Sequence, residues 1–139
     1  MNKKFEQISL KPGFMNHNGG IFFKTVSEKE FEFKATIKEN HLNAAGIAHG
    51  GFIAALVDAG AGTAAHRSAE NSPCVTISLE LKFISVVQLG HELIGKVKIQ
   101  KKTKSMVFLT CELTVTDKIV ATASGVWKIL KLKGAGPGG

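Results

Sequence analysis

Asn43, His49, Gly50, Gly51 and Asp58 fall within one stretch, His41 to Arg67, which reads HLNAAGIAHGGFIAALVDAGAGTAAHR. A polar turn runs here straight into an apolar segment, and Gly50 and Gly51 stand where a helix would begin. The first backbone N–H groups of a helix have no partner inside it, and the helix dipole adds positive charge at the same end. Such donors stabilise a carbonyl oxygen that turns negative when its carbon is attacked, which is half of what acyl transfer needs. The other half is a base or a nucleophile, and Asp58 is the one acid of the segment. It lies about two turns beyond Gly50, too far along its own helix to meet the same carbonyl. A two-fold dimer could bring the Asp58 of one chain to the helix mouth of the other.

Each residue also has a plain structural role open to it. Asn43 suits an Asx turn, His49 a helix cap or a satisfied core position, and Gly50 and Gly51 close packing. Asp58 is harder to assign in that way. From Gly50 to Ala65 its neighbours are Gly, Ala, Phe, Ile, Leu, Val and one Thr, so the helix is expected to be buried on every side. A carboxylate there costs on the order of several kcal/mol unless it is paired, hydrogen-bonded or protonated, and positions 54, 55, 61 and 62 offer no cation one turn away. A membrane span does not fit the stretch: it is shorter than the roughly 20 apolar residues needed, carries an acid near its middle, and is rich in Gly and Ala.

The elements that must position these residues are legible in the flanking periodicity. Phe5 to Leu10 reads as a short helix or lead-in, followed by turn signals at Pro12-Gly13 and at Asn16 to Gly20. IFFKTV and FEFKATI then read as a hairpin of two strands, the second alternating Phe31, Phe33, Ala35 and Ile37 with polar residues. After the helix, Pro73 ends a polar loop and four strands follow, expected as a meander. The inward set of the first is Ile77, Leu79, Leu81 and Phe83; those of the next two are Leu93, Gly95, Val97, Ile99 and Val107, Leu109, Cys111, Leu113, Val115. The last strand runs from Ile119 to Leu130 and carries apolar residues on both faces, which favours oligomerisation. The expected architecture is α+β: an antiparallel sheet of about six strands wrapped on one long helix.

The sequence has 139 residues, enough for one domain with a real core, placed at 1–133 with a flexible Gly-rich tail at 134–139. No apolar leader with a cleavage site opens the chain, so the cytoplasm is the default compartment. Cys74 and Cys111 are the only cysteines; they show no ligand spacing, so two reduced thiols and no metal site are expected. The net charge is +7, with Lys96, Lys98, Lys101, Lys102, Lys104, Lys118, Lys128, Lys131 and Lys133 concentrated in the second half. Nucleic acid is disfavoured as the partner, because no helix-turn-helix, finger or RNA-recognition signature accompanies the charge. A phosphate-bearing small molecule or a simply solvated lysine surface both remain open.

The run H-x-N-x-x-G-x-x-H-G-G from His41 to Gly51, followed by Leu56-Val57-Asp58, resembles the hot-dog-fold acyl-CoA thioesterases. The resemblance covers most of the chain and is to the branch that holds phenylacetyl-CoA thioesterases and the mammalian thioesterase superfamily member of similar size. It implies that Asn43 helps hold the thioester or the attacking water, that Gly50 supplies the oxyanion N–H beside Gly51, and that Asp58 of a neighbouring subunit is the general base or nucleophile. Thr76 aligns with a hydroxyl that assists the water in some relatives, and His49 belongs to the motif in a structural or catalytic role. The nucleotide end of CoA would bind near the turn KKTKS, with Lys102, Lys104 and Ser105 as candidates. This chain departs from the pattern in having no Gly in that turn and no Pro in SVVQLG.

The resemblance thus implies a homo-oligomer, a dimer or a dimer of dimers, that hydrolyses acyl-CoA to free acid and CoA with no metal or other cofactor. Acyl chain length and aromaticity stay open, as does the choice between general-base and anhydride routes. Two rivals stand beside it. One is a dehydratase or hydratase on the same fold, whose catalytic His motifs are absent here; the other is an acyl-CoA-binding module without turnover.

Overall fold

A computed structural model describes residues 4–131; the proposed tail, 134–139, lies outside the described residues. The elements in chain order are β1 Glu6–Ile8, α1 Phe14–His17, β2 Ile21–Thr25, β3 Glu30–Thr36, a 3-10 turn Glu39–His41, α2 Gly50–Ser68, β4 Cys74–Phe83, β5 Glu92–Lys102, β6 Met106–Val115 and β7 Lys118–Ile129. All strand pairs are antiparallel in one sheet of order β1-β2-β3-β5-β6-β7-β4. The sheet curves around α2, whose Phe52, Ile53, Leu56, Val57, Ala61, Ala64 and Ala65 pack on its concave face with Phe23, Phe33, Leu93, Leu109 and Trp127. Each large apolar side chain so buried contributes about 1.5–3 kcal/mol relative to exposure. Trp127 lies beneath α2, its indole Nε1 only 3.3 Å from where a side chain on Gly62 would start.

Among the described residues the sheet has seven strands rather than about six. Phe5 to Leu10 holds a strand rather than a short helix: Glu6–Ile8 pairs with Ile21–Phe23 and closes an otherwise open edge of β2. That short strand is pinned by an ion pair from Arg67 to Glu6 at 2.7 Å, and the Phe5 ring lies beneath the ammonium groups of Lys24 and Lys34. The turn signals at Pro12 to Gly20 enclose a single helical turn, α1, absent from the sequence expectation.

The expected four-strand meander is also corrected. β5, β6 and β7 are consecutive neighbours, but β4 lies at the far edge against β7, and β5 pairs with β3. The β3–β5 register explains the choice: it sets Glu32 opposite Lys96 and Glu30 opposite Lys98 on the outer face while Phe31, Phe33 and Ala35 face Val97, Gly95 and Leu93 inside, and opposite charges across strands stabilise the pairing. The connection 84–91 passes the start of α2, where Val87 is buried and its carbonyl accepts the Ala48 N–H at 2.8 Å.

Within β4, Leu79 and Leu81 reach the core as expected, but Ile77 and Phe83 do not; they are 51% and 54% exposed. A register shift between Thr76 and Ser78 breaks the alternation, and the strand runs along an unpaired edge.

Phe33 is held by two glycines. A Cβ on Gly60 of α2 would lie 2.3 Å from its ring and one on Gly95 of β5 would lie 2.1 Å away, so the ring occupies the space two side chains would take. Gly95→Ala is expected to destabilise the fold by about 1–3 kcal/mol through overpacking, read from the urea midpoint. An unchanged midpoint would show that Phe33 can leave this slot at no cost.

Candidate active site

The loop 41–49 leads from the 3-10 turn into α2 and is built on Asn43. Its Oδ1 accepts the N–H of Ala45 at 2.9 Å and that of Ile47 at 3.3 Å, while Gly46 takes the positive φ of 81° that the turn requires. The Asx turn is therefore real, and it leaves the two amide N–H donors of Asn43 without a partner among the described residues. Ahead of α2, Ala48 packs into the core, Ile47 stays half-buried, and His49 becomes the N-cap.

His49 Nδ1 accepts the Gly51 N–H at 2.8 Å. The exposed ring folds so closely over Gly51 that a Cβ there would lie 2.9 Å from it, which explains the second glycine. The cap takes up the Gly51 donor, and the Phe52 and Ile53 N–H groups point to the His49 carbonyl at 3.0 and 3.1 Å. The Gly50 N–H is left with no hydrogen-bond partner among the described residues. Gly50 lines a cleft of about 300 Å³ with Asn43, Ile47, Ile53, Phe83 and Val86, among others. The Phe83 ring rests over Gly50, 3.5 Å from the position of an added Cβ.

Asp58 is not where all-round burial of the helix would put it. It is exposed on a face of α2 formed otherwise by Gly51, Ala54 and Ala55, which the sheet leaves partly open. One sheet wraps only part of a helix circumference, and this remainder is open in a single chain. Asp58 Oδ1 accepts a hydrogen bond from the Thr76 hydroxyl of β4 at 2.6 Å. The pair is separated from Gly50 by about 12 Å along the helix axis and does not line the Asn43 cleft.

The structure thus joins Asn43 with Gly50, His49 with Gly51, and Asp58 with Thr76, but keeps the last pair apart from the first within the chain. Lys102, Lys104 and Ser105 are brought to none of them. Lys102 ends β5, and Lys104 and Ser105 occupy the hairpin turn, whose Ser105 and Met106 N–H groups bond to the Thr103 hydroxyl at 3.3 and 3.0 Å. Lys101 and Lys102 line a different cleft, of about 550 Å³, with Thr25, Lys29, Arg67 and Asn71 at the C-terminal end of α2. Cys111 is no nucleophile here, since burial pushes its thiol up to about 12. Sequence reasoning missed Phe83 and the segment after it as cleft walls; the apolar cluster Ile84, Val86 and Val87 in a loop was the available signal.

A family model described as Thioesterase superfamily matches residues 45–122, from within the Asn43 loop to β7. The chain belongs to the thioesterase superfamily. It is accordingly a thioester hydrolase. Among relatives in this superfamily, a Pseudomonas aeruginosa protein provisionally named an esterase is 33% identical over 90% of this chain and 94% of its own length. Acyl-coenzyme A thioesterase 13 of Mus musculus is 26% identical over 79% of this chain and 80% of that one. The crystal structure of zebra fish thioesterase superfamily member 2 superposes with a TM-score of 0.78 at 21% identity, covering 86% of this chain and 88% of that one. The sheet wrapped on α2 is therefore the hot-dog fold of this superfamily. Among the described residues no helix is long and apolar enough to cross a membrane.

Proposed function

We propose that the protein hydrolyses acyl-CoA thioesters to the free acid and CoA at sites shared between two copies of the chain. The observation that carries this reading is the split of one catalytic set. An unpartnered Gly50 N–H and the Asn43 amide open on an apolar cleft, while Asp58 with Thr76 stands exposed about 12 Å away on a bare helix face. A naming of the Mus musculus relative as an acyl-coenzyme A thioesterase supports the substrate class. The edge strand supports the partner: among the described residues β4 has no neighbour on one side, and Val75, Ile77, Phe83, Ile84, Val86 and Leu89 along and after it are exposed. An unpaired apolar edge favours pairing with another strand, and a two-fold axis beside β4 would pair it with its own copy. The outer face over β3, β5 and β6 carries Glu32, Lys96, Lys98 and Glu112 and stays solvated in that dimer. A dimer of dimers would form through another surface.

In this site the acyl group enters the cleft with its carbonyl oxygen toward Gly50. Asp58 of the second copy takes a proton from water, and the water oxygen bonds to the carbonyl carbon. The resulting oxyanion is held by the Gly50 N–H at the positive end of α2, and the Asn43 N–H donors orient the thioester. Collapse breaks the C–S bond, and the sulfur leaves with the proton held by Asp58. Attack by the Asp58 carboxylate itself, with water then cleaving the anhydride, gives the same products. Thr76 aims the carboxylate in either route, and His49 holds Gly51 in the cap. No metal or cofactor enters, and the free thiols of Cys74 and Cys111 suit a reducing, cytoplasmic setting.

The deciding experiment is release of free thiol from a panel of acyl-CoA substrates. A binding module would bind them without releasing thiol, and a dehydratase or hydratase would alter the acyl chain with the thioester intact; either result overturns the proposal.

The nucleotide end of CoA is assigned to Lys102, Lys104 and Ser105, reached from the site of another copy. These lysines would supply attraction that is uniform between ground and transition states. Lys102→Ala with Lys104→Ala is expected to raise KM for acyl-CoA severalfold, leave kcat unchanged, and flatten the salt dependence of kcat/KM. A short thioester lacking the nucleotide is expected to be hydrolysed equally by both proteins. Unchanged acyl-CoA kinetics at all salt concentrations would remove the lysines from the site.

A further inference from the structure

His41 is buried, lines a small cleft with Asn18, Gly19 and Lys38 apart from the Asn43 cleft, takes no part in the chemistry above, and touches three segments at once. Its Nε2–H donates to the Asn18 carbonyl at 2.6 Å, and its Nδ1 accepts the Lys38 backbone N–H at 2.9 Å. The ring lies flat on Phe52 in the first turn of α2, with centroids 3.7 Å apart and planes 10° from parallel. Its own carbonyl accepts the N–H of His49, the cap residue, at 2.8 Å. Asn43 follows two residues later. Since a backbone N–H can only donate and a carbonyl can only accept, the partners select one neutral tautomer, bare at Nδ1 and protonated at Nε2.

We propose that His41 is a positioning residue of the thioesterase site, holding the Gly50 N–H and the Asn43 amide in one geometry through its single tautomer and its stack on Phe52. This rests on the function proposed above and adds to it a residue that touches no substrate. A side chain packed only for bulk would not require both ring nitrogens to be satisfied by backbone groups from different segments. Here the turn after α1, the 3-10 turn and α2 are all referred to one ring.

A second proton must go on Nδ1, where it faces the Lys38 N–H, so that hydrogen bond is lost and positive charge enters a buried stack. The charged groups around the ring are the Lys38 ammonium, folded back to 3.7 Å from the Cβ position of Gly19 in the same small cleft, and the exposed Glu39 carboxylate of the 3-10 turn. The first turn of α2 presents Phe52 to the ring, and the Asn18 turn presents a carbonyl. His49, the remaining titratable neighbour, is linked to His41 through its backbone, while its ring engages Gly51.

The test combines spectra of the resting protein with kinetics. Imidazole ¹⁵N signals and the Gly50, Gly51 and Asn43 amide signals are followed through an acid titration without substrate. Then kcat and KM for an acyl-CoA are measured for His41→Phe and His41→Asn. The expected spectrum is the Nε2–H tautomer, with the three amide signals moving together with the second protonation of His41. His41→Phe keeps the stack and loses both hydrogen bonds; its kcat is expected to fall at least about tenfold with KM little changed, because misplacing reacting groups by about 1 Å costs up to about 100-fold. His41→Asn offers an acceptor near Nδ1 and cannot titrate, so it is expected to recover part of kcat and to lack the His41 inflection on the acid limb. The Nδ1–H tautomer, amide signals indifferent to the ring's protonation, or wild-type kcat in His41→Phe would each overturn the proposal. If neither variant folds, the titration of the unaltered protein decides. The spectra need no turnover, so a protein that releases no thiol but shows the coupled signals would sink the acyl-CoA reading while upholding the role of His41 in shaping the helix mouth.

Discussion

Asp58→Asn is expected to lower kcat for acyl-CoA by about 10²–10⁴-fold, the usual contribution of a positioned general base, and to leave the melting temperature within a degree or two. The fold is insulated from the change because Asp58 is exposed and its one hydrogen bond, from Thr76, reaches an oxygen that Asn also carries. What Asn lacks is a proton acceptor able to take up the water proton, and equally a nucleophile able to form an anhydride. The measurement is steady-state thiol release beside thermal unfolding. A variant that keeps more than about a tenth of wild-type kcat would sink the assignment of Asp58 under both routes.

Mixing two inactive proteins should restore activity. In a dimer of an Asn43→Ala chain with an Asp58→Asn chain, one site receives both defects and the other receives neither. After random re-pairing of equal amounts about half the dimers are mixed, so about a quarter of all sites are native. Activity is thus expected to rise from near zero to about a quarter of that of the unaltered protein. The control is each variant subjected alone to the same dissociation and re-association. Verified mixed dimers that stay inactive would place the whole site inside one chain, against the separation of Asp58 from the Asn43 cleft.

The parts of the site that lie close in sequence were legible before any coordinates. Asn43, His49, Gly50 and Gly51 sit on one turn and one helix start, where side-chain capping and backbone geometry are set by immediate neighbours. Both roles open to Asn43 hold together, since its oxygen builds the turn and its N–H groups remain. The surroundings of Asp58 were not legible. Whether Gly51, Ala54 and Ala55 face a sheet or the open depends on how far the strands wrap around α2, and small residues suit either outcome. The position of β4 was hidden for a related reason. Strand periodicity reports which residues face inward but not which strand is the neighbour, and the register that sets Glu32 opposite Lys96 joins strands separated by the whole of α2 and β4. β1 reads from sequence only as a short helix or lead-in, because three residues are too few for a period to show. Lys102 and Lys104 were grouped by charge, which fixes no distance to a cleft at the other end of the helix.

Trp127 gives the molecule its own optical reporter. The chain has one Trp and no Tyr, so its intrinsic fluorescence comes from a single indole, held 1% exposed between β7 and Gly62 of α2. The colour of that emission therefore follows one joint, the seating of the helix on the sheet, and moves to the red when water enters there. Gly62 lies one turn beyond Asp58, where α2 passes from its open face to the sheet. A thioester or a second chain settling on that face would change the indole's surroundings before any bond breaks, so a stopped-flow trace with no dye attached can separate arrival from cleavage.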